Sequence, residues 1–594
     1  MKNLALLFIF GLLTFCAQKT QEEEKSLSND AFATMLENYY QDGLKLFPLN
    51  ATFQGDNRYN DKLRNDLSKS FNQELLLYYN SYLQKLETFD RASLTAEEQI
   101  SYDILTWECE IALAEMKYHA GLLPIDQFWT TQLMIGQLAS GSSAQPFKTK
   151  EDYDNWLNRV DVFVEWCDTA IVRMREGMSQ GIVLPKSLSA KVIPQLAAWK
   201  DGAAESHHFY LPAKNIPEEI AMVDEEDIKA TYSDMVENKI IPVVNRLHEF
   251  FKEEYLPAGR ESSGIGALPR GDEWYQHRIK LYTTTDMTAD EVFELGKSEV
   301  ARIRAEMEKV MTEVEFEGTL NEFFAHVRSN PDLMPFSGPQ QVIDNFNAIH
   351  ERMKPNLKAL FDLTPKTSFE VRRTEAFREA SASAEYNPGS IDGTRPGIFY
   401  VPIPNVKGYN MYSDESLFLH EAIPGHHYQI SLAQENEQLP SFRRSLWYSS
   451  YGEGWALYSE SLGKELGLYT DPYQYFGMLS AEMHRAIRLV VDAGIHSKGW
   501  TREDAIQYSL ANEAESEASI TSEIERYMAG PGQALSYKVG QLKILELRKR
   551  AQETLQDDFE IREFHNIVLE SGCVPLTVLE NKVENWMASK KSNQ

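Results

Sequence analysis

His420-Glu421-Ala422-Ile423-Pro424-Gly425-His426-His427 carries the parts of a zinc peptidase site at a spacing that a regular helix does not allow. In the ordinary HExxH motif two histidines sit at i and i+4 on one helical face, with the glutamate as general base. Here the histidines that follow His420-Glu421 stand at i+6 and i+7. A helix places i+7 about 10.5 Å along the same face, whereas two nitrogens on one zinc must each lie about 2.0–2.1 Å from it. His426, at i+6, would also point to another face. Pro424-Gly425 supplies what is missing. Proline removes a backbone donor and clashes with the carbonyl four residues back, and glycine accepts almost any φ/ψ. A bulge at this pair absorbs two extra residues and returns the later histidine to His420. The plainer reading is a helix that stops at Pro424, with the histidines in an ordinary loop.

A catalytic zinc needs three protein ligands and one open position. Downstream, residues 451–460 read YGEGWALYSE, with Glu453 and Glu460 seven apart on one helical face. Glu453 stands between Gly452 and Gly454, where backbone can approach a ligand closely. Glu460 is suited to orienting a histidine from behind. Both would be ordinary on a solvated helix, but the flanking Trp455, Ala456, Leu457 and Tyr458 argue for burial, and buried carboxylates need a partner.

The rest of the chain limits the choice of chemistry. Its 594 residues suffice for one large domain or several. With Gly 32 and Pro 24, usage falls below the roughly 12% average, which favours long helices with few breaks. Lys+Arg 59 against Asp+Glu 89 gives a net charge of −30. So acidic a surface argues against nucleic acid and against electrostatic docking on anionic lipid. It does not choose a substrate, since a cleft can differ from the whole. Residues 1–16, MKNLALLFIFGLLTFC, have a basic start and an apolar run too short for a comfortable membrane span, as an export signal does. Leu13-Thr14-Phe15-Cys16 resembles a bacterial lipobox, although Phe15 replaces the usual small residue. It would make Cys16 the lipidated first residue of an envelope protein, on the periplasmic side or at the cell surface, with 17–29 as a polar tether. An ordinary cleaved signal is the alternative. Of four cysteines, only Cys109, Cys167 and Cys573 come after this segment. That set makes no disulfide framework and no CxxC knuckle, so any metal must be held by histidines and carboxylates.

From Asp30 to about Gln180, apolar residues recur at helical spacing, and Thr95-Ala96-Glu97-Glu98 reads as a capping box. The aromatic residues there read as core. The stretch 180–224, with Pro185, Pro194 and Pro212, is more broken and is a candidate cleft lining. Helices resume at 225–255. A Gly/Ser-rich stretch, Gly259 to Gly271, then marks a soft boundary near 260 between an N-terminal helical region (30–260) and a catalytic region (261–590) of one continuous unit. Thr288 to Glu291 caps a helix running to about Glu315, and another spans roughly 340–363. Residues 366–405 break the habit. TSFEVRRT and IFYVPIPN read as short strands around a turn-rich segment, with one strand at about 397–403. Set before the zinc helix, an edge strand there would serve as a ledge for peptide backbone, or simply close a structural hairpin.

HEAIPGHHYQ, EGWALYSE, RLVVDAGIHSKGWTREDAI and GPGQALSYKVGQLK together resemble the bacterial family called domain-of-unknown-function 885. The resemblance runs over most of the chain and is strongest from about 386 to 580. That family is similar in fold to the helical gluzincin peptidases, which implies a mainly α fold with a small β-sheet beside the zinc helix. Carried over, the resemblance makes His420, His426 and Glu453 the ligands of one Zn2+ per chain and Glu421 the base. The two-residue expansion leaves His427 as the competing ligand. His426 is favoured because Gly-His closes the motif, as in many HExxH helices.

Such a site hydrolyses peptides: Glu421 takes the proton of a metal-activated water and passes it to the leaving amine. Helical gluzincins stabilise the oxyanion with tyrosine or histidine from later helices. Tyr537 is the first candidate here, with Tyr527 and His496 behind it, each of which would also be ordinary in a core. Arg526, Lys538, Arg485 and Arg488 are candidates for holding a peptide carboxylate, or plain helix-surface charges. A binding lipoprotein that keeps metal without turnover, and a zinc hydrolase of a non-peptide amide or ester, are the competing readings. Glu421 argues against the first of these, because metal storage needs no general base.

Overall fold

The computed structural model describes residues 29–375, 379, 382–390 and 395–592. The expected signal and lipobox, Cys16 included, and the tether up to residue 28 lie outside the described residues. The rest is mainly helical, with one small sheet. No helix among the described residues is long and apolar enough to cross a membrane.

Helix starts obey their side chains. Glu98 accepts from the Thr95 amide at 2.9 Å and Thr95 Oγ1 accepts from the Glu98 amide, which satisfies free N–H groups at the start of Ala96–Glu115. Thr288 and Glu291 open Ala289–Glu313 in the same way, two residues shorter than expected. Thr149 and Asp152, a pair not singled out from sequence, open Lys150–Ser179.

The apolar faces of these helices assemble into two cores. The smaller takes its residues from 125 to 255 with Leu63 and Leu67, around Trp156, Phe163 and Trp166. The larger joins 32–109 to 265–587. The boundary near 260 therefore separates the smaller core from the C-terminal half, but the first helices do not go with the smaller core. Asp30–Leu46 lies on the C-terminal half, where Tyr39 meets Phe442 edge-on at 5.7 Å. The fully buried Arg443 reaches back to Ser101 and to the Ser571 carbonyl. The Gly/Ser-rich stretch is packed as well. A Cβ on Gly264 would stand 2.6 Å from the Ile495 carbonyl carbon, and Ile265 donates its N–H to His496 Nδ1 at 3.1 Å.

The sheet has the order β1 (Phe369–Arg373), β3 (Gly397–Val401), β2 (Glu385–Asn387), with β1 parallel and β2 antiparallel to β3. The strand expected as an open ledge is thus the central one, with both edges already paired, and any added backbone is left to the outer edges of β1 and β2. Sequence marked β1 and β3 as strands but neither their pairing nor β2, because β1 reaches β3 only through a parallel crossover.

Four helices frame the region beside this sheet. Asp414–Glu421 packs against Pro472–Ser497 and Ser449–Ser461, and Ser449–Ser461 in turn crosses Ser536–Leu555. At that crossing Gly454 faces Gly540. A Cβ on Gly540 would lie 2.7 Å from Gly454 Cα and overlap the Ser450 carbonyl oxygen. The helices touch backbone to backbone, so Gly540→Ala must push them apart. The expected loss is about 1–3 kcal/mol, seen as a lower denaturation midpoint. An unchanged midpoint would show that this crossing tolerates separation.

Candidate metal centre

The helix Asp414–Glu421 ends at Glu421, where Ala422 leaves helical geometry with φ −107 and ψ −106. The Ile423–Pro424 bond is cis, and a new helix, His426–Glu435, begins at His426 itself. The expected bulge is therefore a complete break between two helices. Gly425 makes it possible: a Cβ there would lie 2.6 Å from the His420 carbonyl carbon and overlap the carbonyl oxygens of Leu419 and His420. Trp455 fixes the turn by donating its indole N–H to the Pro424 carbonyl at 2.8 Å. The outcome is two imidazoles edge to face, with centroids 4.9 Å apart.

Glu453 completes the group. Its Oε2 lies 3.6 Å from His420 Nε2 and 3.5 Å from His426 Nε2, and ligand atoms of all three residues fall within 4.8 Å of one another. A tetrahedral zinc with bonds of about 2.0–2.1 Å separates its ligand atoms by roughly 3.3 Å, so the donor set needs only a small contraction to close on the ion. Glu460 stands behind it, with Oε1 accepting from His420 Nδ1 at 2.8 Å and Oε2 accepting from the Ser416 hydroxyl. A proton held at Nδ1 leaves the Nε2 lone pair aimed at the pocket, the tautomer that a metal requires. His426 Nδ1 is buried without such a partner. Glu453 does not owe its position to glycines that admit a ligand. Gly452 makes room for the ring of Trp447, and Gly454 for the crossing helix.

Two buried carboxylates, Glu421 and Glu460, and the half-buried Glu453 thus meet two histidines. Burial works against a charge on His420, but the carboxylates of Glu453 and Glu460, then Glu421, outweigh it and lift His420 to about 9. Burial likewise opposes ionised Glu453, yet His426 and His420 hold it far below the usual carboxylate range. Glu421 goes the other way, pushed up by burial. The residue is 9 % exposed, and its carboxylate makes no hydrogen bond among the described residues. It is a proton acceptor with nothing to hold it.

The competing ligand, His427, points elsewhere. Its Nδ1 meets the Tyr386 hydroxyl of β2 at 2.9 Å, its ring packs on Phe369 of β1, and burial lowers it to about 4. It joins the sheet to the metal helix. Tyr537 lies within the field of Glu453, and its hydroxyl has no hydrogen-bond partner among the described residues. Tyr527 is engaged, donating to Glu523 at 2.7 Å and accepting from Arg488 Nε at 2.9 Å. Arg526 binds Glu523 and Gln533. Lys538 is buried between Glu299 and Glu482. His496 spends both nitrogens on backbone, Nδ1 on Ile265 and Nε2 on the Tyr527 carbonyl, and burial lowers it to about 3. It fastens two segments and has no nitrogen left for an oxyanion. Sequence reasoning missed Ser416, four residues before His420, and Trp447, whose ring lies 5.8 Å from that of His426 and remains 44 % exposed. The helical spacing of Ser416 was a usable signal. Nothing local pointed to Trp447.

A family model described as "Bacterial protein of unknown function (DUF885)" matches residues 48–583. Among solved structures, the "putative lipoprotein" from Colwellia psychrerythraea is 28% identical with a TM-score of 0.85, over 94% of this chain and 99% of that one. A "putative lipoprotein of unknown function" from Shewanella oneidensis is 18% identical with a TM-score of 0.74, over 93% and 99%, and shares the fold. No curated protein matches the chain.

Glu460→Gln should weaken zinc affinity by about 10- to 100-fold, measured by competition with a chromogenic chelator. An unchanged affinity would mean that Glu460 does not orient His420. The raised His420 also sets a pH dependence. In the metal-free fold its proton contributes stability in full below the unfolded value of 6.5, and that contribution is lost as pH rises through about 9. Zinc must displace this proton, so the zinc-induced rise in thermal midpoint should grow from about pH 6 to about pH 8. A rise independent of pH would show that zinc does not take the proton's place.

Proposed function

We propose that this chain, which belongs to the bacterial family of unknown function DUF885, is a zinc-dependent peptidase. The observation that carries the reading is the triad His420, His426 and Glu453, backed by Glu460 and flanked by a buried, unpartnered Glu421. The order along the chain supports it: a His-Glu helix, a second histidine, then a glutamate on a following helix, as in helical gluzincins. Export as a lipoprotein anchored through Cys16 belongs to the same reading, supported by the N-terminal sequence and by the description of the Colwellia relative.

When bound, zinc supplies Lewis acidity towards a carbonyl oxygen and lowers the pKa of water. The protein's own groups do the rest. His420, His426 and Glu453 would hold the ion. The Glu421 carboxylate accepts a proton from the attacking water; its raised proton affinity suits it to the task near neutral pH. The water oxygen joins the carbonyl carbon, the C–N bond breaks, and Glu421 returns the proton to the leaving amine. The Tyr537 hydroxyl, free of other partners, donates to the carbonyl oxygen as negative charge develops there. The exposed face of Trp447 beside His426 gives the substrate an apolar surface next to the ion.

A diverse peptide mixture incubated with the signal-less protein and read by mass spectrometry tests this. Wild type should cleave, and a chelator should stop it. Glu421→Gln should keep its zinc and lose about 10²–10⁴ in turnover. Tyr537→Phe should lose about 10²–10³ in kcat with little change in KM. A zinc-loaded wild type that cuts no peptide would sink the proposal.

A further inference from the structure

Arg485 and Arg488 stand one turn apart on Pro472–Ser497 and so share a face of it. Both guanidiniums lie over the ring of Tyr537, at 5.9 Å and 4.5 Å from its centroid. Tyr537 in turn feels the charge of Glu453, and Glu421 feels that of Arg485, so the two arginines border the metal centre. In a chain of net charge −30, three guanidiniums gather here, those of Arg485, Arg488 and Arg526. Arg488 and Arg526 share one carboxylate, Glu523, at 3.0 Å and 2.8 Å. Arg485 has none among the described residues, its single hydrogen bond being a 3.3 Å contact to the Ala481 carbonyl of its own helix.

Two donors on this face are buried and unused. Arg485 Nε and Arg488 Nη1 have no acceptor, although Arg488 is only 6 % exposed. Unpaired buried donors on a charged group are costly, and a guanidinium presents them in a fork that fits a carboxylate. Glu523 meets Arg488 through Nη2 and leaves Nη1 unpaired, and no carboxylate among the described residues hydrogen-bonds Arg485. Beyond the arginines Phe128, half exposed, lies 5.6 Å from the Arg526 guanidinium.

We infer that Arg485 and Arg488 form a carboxylate subsite that receives the free C-terminus of a peptide, so that the enzyme trims its substrates from that end. The inference rests on the peptidase reading for its consequence. A C-terminus fixed on the arginines lays the nearby peptide bond beside Glu421 and His426, whereas an internal segment leaves both donors unpaired and the cation uncompensated. An acidic side chain offers the same chemistry, and the test must tell the two apart.

The experiment measures binding by calorimetry to the zinc-loaded Glu421→Gln protein, which removes turnover from the readout. The probes are one N-acetylated tetrapeptide as the free acid, as the C-terminal amide, and as an amide ending in aspartate. The free acid should bind at least about tenfold tighter than either amide. Adding Arg485→Gln should abolish that preference while zinc content stays at one per chain. Equal affinity for acid and plain amide would overturn the subsite. An aspartyl amide that matches the free acid would overturn its assignment to the C-terminus, and a preference that survives Arg485→Gln would overturn the residues named. The peptidase reading fails separately. If zinc-loaded wild type hydrolyses none of the three peptides yet the acid preference holds, the subsite stands and the chemistry assigned beside it does not.

Discussion

Negative charge buried at the junction of two helices is the constraint on which the rest depends. Glu421 and Glu460 are buried and Glu453 is largely withdrawn from water, all within reach of two imidazoles. Three carboxylates against two neutral histidines cannot be left so at little cost, since desolvating each ion is worth several kcal/mol and only partners or hydrogen bonds offset it. The metal-free fold answers with a proton on His420. A dication would answer better, because both imidazole Nε2 atoms and Glu453 lie close enough together to be met at once. Glu460 then serves either state, holding the Nδ1 proton at 2.8 Å whatever occupies the other side of the ring.

That junction in turn dictates the backbone around it. Ligands on three helices can converge only if the helices approach closely, and the close approaches fall on glycine. Gly425 lets the turn fold back on the His420 carbonyl, and Gly454 meets Gly540 where the ligand helix crosses the helix that carries Tyr537. The indole of Trp455 links the two regions, since it belongs to the Glu453 helix and bonds the Pro424 carbonyl of the turn. Glu453, the turn and Tyr537 thus share one packed block, the arrangement expected of a site whose groups must be positioned before a ligand arrives.

Only local features could be read from sequence. HEAIPGHH demanded a departure from helix at Pro424-Gly425, because spacing alone forbade the alternative, and the chain does depart there. The form of the departure was not readable: a bulge and a full break satisfy the same spacing. Capping boxes at Thr95 and Thr288 were legible because both partners lie within four residues. The pairing of β3 on both edges was not, since β1 lies 24 residues before it. The grouping of Asp30–Leu46 with the C-terminal core was hidden for the same reason, as an amphipathic stripe announces that it will be buried without saying against what. His496 shows the opposite error. A histidine in a suggestive motif looked chemical, but both its nitrogens serve backbone atoms.

Glu421 bears most directly on what the centre is for. Zinc held for storage or for fold stability would gain from an apolar residue at this position, since the carboxylate has no hydrogen-bond donor of its own and adds like charge beside Glu453. The chain instead keeps an acid that burial makes a stronger proton acceptor than usual, next to the ligands and open enough to meet a small molecule. Tyr537, half-buried, repeats the pattern with a hydroxyl that has no hydrogen-bond partner among the described residues, and Arg485 and Arg488 with donors that have no acceptor. Each of these groups weakens the fold slightly where it stands. A proton acceptor, a neutral donor and a cation with unused hydrogen-bonding capacity, gathered around His420, His426 and Glu453, are what the proposed peptidase would need, since its substrate would supply what each of them lacks.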